Sequence, residues 1–204
     1  MPASQLQDLL NESASMHDHL CPRQVLGVRM GMYAAELFGL ELPQQDKRLL
    51  AIVENDGCFA DGVAVSTGCW LGHRTMRLAD FGKVAVTVVD TLTGDAFRIH
   101  PSEKSRQMVK RYAPDAASRW HAYLEGYQLI PLRELLVADR VRLIQPVTEL
   151  VSVPGHRVVC EECGEEILNE REIVIDGRVL CRGCGGHAYL TICDMPEGFP
   201  IDER

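Results

Sequence analysis

The most restrictive pattern in the chain lies near its end. CEEC (160–163) and CRGC (181–184) are two C-x-x-C pairs separated by seventeen residues. Each pair can present two thiolates to one ion. Four cysteines close a tetrahedral shell and leave no position for water or substrate, which is the pattern of structural zinc. The rivals are a redox dithiol, which needs no second pair at this spacing, and an iron–sulfur centre. Between the pairs, EIVIDGRVLC sets an Asp-Gly turn at 176–177 between strand-like runs, so a hairpin is expected. Gly164 and Gly183 fit the sharp bends of knuckle turns. A segment of about fifty residues buries little core, so the metal is expected to supply folding energy.

VPGH (153–156) reads as a linker into this module, and the texture of the sequence changes there. The expected division is a core over 1–152 and a four-cysteine zinc-binding module over 153–204. Residues 151–204 carry five Arg and no Lys against eleven Asp and Glu, and the whole chain has a formal charge of −8. Such a surface repels phosphate backbones, so a DNA-binding finger is disfavoured and a protein contact preferred. No apolar run is long enough for a membrane helix. MPASQLQDLLNES has neither the basic nor the apolar region of a signal peptide. With eight cysteines suited to metal or redox chemistry in a reducing compartment, the expected location is the cytoplasm.

Upstream, residues 3–15 have helical periodicity. Pro22 suits the first position of a second helix, with Cys21 as its N-cap and Gly39 closing it after Phe38. Gly27 and Gly31, one turn apart, suit close helix packing. LLAIVEN (49–55) reads as a buried strand, NDGC as a turn, and 58–67 as a helix starting near Cys58. KVAVTVVD (83–90) and DAFRIH (95–100) read as strands joined by TLTG. Residues 101–126 read as helix broken at Pro114, LRELLVA (132–138) as another helix, and VRLIQPV (141–147) as a short strand or tail. Trp70, Trp120 and Cys69 are expected to pack internally.

HDHLCP (17–22) sets His17, His19 and Cys21 at alternate positions, where an extended chain turns them to one side. A thiol at a helix start faces unpaired amides, which favour the thiolate that binds metals or attacks electrophiles. Alone, the pattern also suits a capping cysteine beside two surface histidines.

HDHLCP resembles the "H-G-H-x-C-P-G" opening of the FmdE family, which takes its name from a component of formylmethanofuran dehydrogenase. ENDGCFADGV (54–63), STGCWLG (66–72) and DFGKVAVTV (80–88) are similar to three further motifs of that family, in the same order. Asp18, Arg23 and His73 stand where the family pattern has other residues. The resemblance implies an α+β fold, a mixed-sheet core with helices, followed by a zinc-ribbon or treble-clef-like domain that assists dimer assembly.

It also implies a His/Cys cleft. His17, His19, Cys21 and Cys58 would form a second site for a transition metal, with Asp56 and Asp61 nearby. Cys21, Cys58, Asp61 and Lys83 are the candidate catalytic residues: a thiolate ligand or nucleophile, a carboxylate orienting a histidine, and an anion contact or proton donor. The implied function is metal binding linked to formylmethanofuran or molybdenum/tungsten-cofactor metabolism. The alternative is a non-catalytic accessory protein docking on a larger redox enzyme through the zinc module. The expected partners are a second copy of the chain, such an enzyme and a small-molecule ligand.

Overall fold

The computed structural model describes residues 3–151 and 153–193. The expected boundary at 152 falls on a residue outside this set, as do the last residues of the expected module. The chain divides into two compact units, Met1–Val147 and Thr148–Arg204.

The first unit opens with α1 (Ala3–Ser15) and α2 (Pro22–Phe38). Pro22 opens α2 and Cys21 is its extended N-cap, while Gly39 closes the helix in a left-handed conformation at φ 63°. Next come β1 (Leu49–Val53), α3 (Cys58–Thr67), β2 (Met76–Leu78), β3 (Val86–Asp90) and β4 (Ala96–Pro101). α4 (Ser105–Tyr112), α5 (Arg119–Leu129), α6 (Leu132–Leu135) and β5 (Leu136–Val141) complete the unit, and α7 (Val147–Val151) lies at the division.

The sheet order is β2-β1-β3-β4-β5. β1 and β2 are parallel, joined through α3, and every other neighbour is antiparallel. This is a mixed sheet in an α+β unit. β1 and β3, two of the three inner strands, are built from LLAIV and VTVVD, and their near-continuous apolar runs are buried almost throughout. Phe59, Met30, Leu10, Val63 and Ile99 form the centre of the core.

Two expected elements differ. The helix expected over 132–138 stops at Leu135, and Leu136–Val141 pairs with β4 from Pro101↔Leu136 to Ala96↔Val141. A free edge on β4 offers six residues of backbone partners, and this outweighs the helical propensity of RELL. VRLIQPV therefore supplies only the last residue of β5. The strand expected from Lys83 begins three residues later, at Val86.

The second unit holds two hairpins, β6 (Arg157–Val159) with β7 (Glu166–Leu168) and β8 (Ile173–Ile175) with β9 (Arg178–Leu180). The sequence pattern does not announce β6 and β7. The turn between β8 and β9 has Asp176 at φ 50° and Gly177 at φ 81°, the two left-handed residues of the tightest hairpin. Leu180 is buried against Cys160 and Ile167, and Ile173 packs on them. Leu180 and Ile173, paired across the hairpin, turn inward, while Val174 and Ile175 stay exposed.

Candidate functional site

The core site is positioned by a seam of glycines between α2 and α3. A Cβ on Gly27 would strike the Phe59 carbonyl, one on Gly31 the Ser66 side chain, and one on Gly62 the Gln24 carbonyl. These contacts advance together along both helices, so α2 and α3 run side by side in the same direction. Their N-termini therefore meet at one end. Ser66 Oγ, buried in the seam, donates to the Gly62 carbonyl at 2.7 Å. Cys21 caps one helix and Cys58 opens the other, and both line the same cleft. Burial, and then the Cys21 thiol, push the Cys58 thiol above its usual range.

The start of α2 is also tied to α1. The Cys21 amide donates to Gln24 Oε1 at 2.7 Å, and the fully buried Gln24 donates through Nε2 to the Ser13 carbonyl at 2.8 Å. This fixes the loop carrying the histidines. His17 Nε2 bonds Asp61 Oδ2 at 2.8 Å, one turn beyond Cys58 on α3. His19 and Asp56 are exposed. Among the described residues, the module's cysteines are the one group of three or more ligand atoms gathered within 4.8 Å of one another. His17, His19, Cys21 and Cys58 are not drawn that close.

Cys21 and Cys58 line a cleft of about 1080 Å³. Lys83, exposed, stands on its rim, held by its amide to the Glu54 carbonyl at 3.0 Å. Arg98 and His100 enter from β4. Arg98 grips the buried Glu54 with two bonds, Nε at 2.6 Å and an Nη at 2.8 Å. Those bonds, with the charges of Lys83 and His100, hold Glu54 below the usual carboxylate range. The far wall is α4 and α5, with Arg106, Arg119, Trp120, Tyr123 and Tyr127. Trp120, expected to pack internally, is 42% exposed there. Cys69 is buried as expected and outside the cleft.

Sequence reasoning missed Arg29, which positions that wall. It lies buried on α2 and donates to the Gln128 and Ile130 carbonyls at the end of α5. Burial lowers its pKa to about 10, against the charge of Glu36. Arg98, Arg106 and Arg119 were missed as well. An arginine in a helix or strand carries no local signal that it faces a cleft.

In the second unit, the amides of Cys181 and Cys184 point at the sulfurs of Cys160 and Cys181, each at 3.3 Å. Amides of Cys163 and Cys181 pull Cys160 down to about 6, while the neighbouring thiols, Cys181 first, push Cys184 up to about 12. Four thiols this close cannot all ionise unless a cation balances them. The four-sulfur cage fits a tetrahedral divalent ion.

Residues 16–137 match the family described as FmdE, molybdenum formylmethanofuran dehydrogenase operon, and residues 155–189 match the prokaryotic dksA/traR C4-type zinc finger. A curated relative from Archaeoglobus fulgidus, described as a probable S-adenosyl-L-methionine-binding protein, is 30% identical over 211 aligned positions. The alignment covers 94% of this chain and 56% of the relative, so the chain spans about half the length of that protein. The crystal structure of a tungsten formylmethanofuran dehydrogenase FmdE-like protein from Syntrophus aciditrophicus is similar, with a TM-score of 0.59 and 19% identity. It covers 91% of this chain and 95% of that one, a likeness of fold. With more than half its length matched to the family, and with a C4 zinc finger behind that region, the chain belongs to the FmdE family.

Proposed function

We propose that the cleft is a metal-assisted small-molecule site, serving formyl-group or molybdenum/tungsten-cofactor chemistry, and that the module's zinc is structural. One observation carries the reading: Cys21 and Cys58, distant in sequence, converge at the cleft. The donor set suits zinc or another late transition metal. With His17 Nε2 on Asp61, Nδ1 is left for an ion, the arrangement in which a carboxylate orients a ligating histidine. A divalent ion held by Cys21 and Cys58, with His17 drawn in from its place beside Asp61, would supply Lewis acidity toward an oxygen of the ligand. Asp61 fixes the imidazole, and Lys83 holds an anion or gives up a proton at the rim. The test is metal content after anaerobic purification. Two equivalents are expected, falling to one in Cys58→Ser. One equivalent in the unaltered protein refutes the core site.

A second reading is an accessory protein docking on a larger redox enzyme through the module. Its support is the exposed apolar side chains there, Val174 at 67%, Tyr189 at 94% and Ile192 at 91%. Co-purification with such an enzyme, lost in Val174→Lys, is the expected result. S-adenosyl-L-methionine, named for the Archaeoglobus fulgidus relative, carries a carboxylate and a planar adenine that suit Arg23, Lys83 and Trp120, and a sulfonium that the cationic lining opposes.

A further inference from the structure

The charge of the cleft is opposite to that of the chain. The whole sequence has a formal charge of −8. Yet the cleft is lined by five cationic side chains, Arg23, Lys83, Arg98, Arg106 and Arg119, and by one carboxylate, Glu103. Arg98 is balanced by Glu54 and serves the fold. Arg119 is engaged by Tyr123, donating to its hydroxyl at 2.9 Å and lying 5.5 Å over its ring. Arg23 and Lys83 have no ion pair or side-chain hydrogen bond among the described residues, and both are exposed. They flank the two thiols: Arg23 is two residues beyond Cys21, and Lys83 is on the rim. Unpaired cations concentrated in a concave site on an acidic protein focus its potential on anions. Trp120, 42% exposed, lines the same cleft.

We propose that this cleft takes an organic oxyanion, a carboxylate or phosphate held by Arg23 and Lys83, with a planar group against Trp120. This rests on reading the cleft as a small-molecule site and names the class of its ligand. The cations draw the ligand in and set the end that approaches Cys21 and Cys58. The aromatic wall selects ligands with a ring over inorganic ions.

The test is tryptophan fluorescence titration of the full chain with adenosine 5′-monophosphate, phthalate, inorganic phosphate and adenosine. Saturable quenching by the monophosphate or phthalate is expected, at least about tenfold tighter than by adenosine or inorganic phosphate. The monophosphate and phthalate distinguish a phosphate from a carboxylate ligand. Arg23→Gln and Lys83→Gln should each weaken binding by about threefold or more. Arg133→Gln, exposed and outside the cleft, should leave it unchanged. Trp120→Phe should remove the signal. Equal binding of adenosine and the two anions, absence of quenching by both anions, or wild-type affinity in both cation variants would overturn the proposal. The same titration in Cys58→Ser separates the two readings. Anion binding retained there, with one metal equivalent lost, supports both. Unchanged metal content sinks the metal site alone.

Discussion

Arg29 is the most demanding side chain in the core to bury. Its guanidinium stays charged because two carbonyls at the end of α5 accept from it. Arg29→Met leaves those carbonyls without their donor and should destabilise the first unit by about 2–4 kcal/mol, read from urea denaturation. Loss of the tie should also loosen α5, so Trp120 fluorescence should change before global unfolding. Gly27 makes a separate test. Gly27→Ala drives a methyl group into the Phe59 carbonyl and should cost about 1–3 kcal/mol. Because the seam sets the meeting of Cys21 and Cys58, that variant should also lower metal retention in the core, measured alongside the melting curve. Cys21 was legible from the sequence because it sits at a helix start marked by proline, whereas Cys58 entered the site only through the family resemblance. His19 was read with Cys21 from alternation and from the family's opening motif. The loop before α2 is not a strand, so alternation there does not govern which way a side chain points.

At the scale of elements, the sheet was legible where strands are buried on both faces and illegible at its edges. LLAIV and VTVVD announce themselves by continuous apolar runs, whereas β2 is three residues long and β5 reads as helix until a partner strand is present. The convergence of strand and helix ends on the cleft depends on long-range packing that no local pattern encodes. Glu54, just after β1, and Arg98 on β4 bridge across β3. The folded pKa of Glu54 is depressed, so its contribution is present above the unfolded value of about 4.3 and is lost as pH falls through the lower folded value. Asp90, held down by Arg48, behaves in the same direction. Arg98→Met should therefore be most destabilised near neutral pH, with its deficit shrinking as the solution is acidified below about pH 4. Urea midpoints across that range check it, and a deficit independent of pH would contradict the pairing.

At the scale of the molecule, two units with different sources of stability should melt separately. The first buries a large apolar core, while the second, among its described residues, has only Cys160, Ile167 and Leu180 buried at its centre. Chelation, or Cys163→Ser, should abolish the transition of the module and leave that of the core unchanged in calorimetry. Loss of both transitions together would show that the units fold as one. None of the helices is long and apolar enough to cross a membrane among the described residues. We propose a homodimer that covers Val174 and Ile175, and light scattering should give twice the chain mass for the full protein and a monomer for a chain ending at Val151. A dimer that survives truncation would move the interface to the first unit, though not to Gly27 and Gly31, which are buried against α3.

The glycine seam has a consequence for how such a site can change. The spacing between the two sulfurs is set by how closely α2 and α3 approach several residues away, not by the loops that carry neighbouring ligands. Small substitutions along the seam would therefore act as a remote gauge on the thiol pair, widening or narrowing it without touching the cleft lining. In the proposed site, preference for one metal over another and selectivity for the ligand would thereby be under separate hereditary control. The first would be written in residues such as Gly31 and Ser66, and the second in Arg23, Lys83 and Trp120.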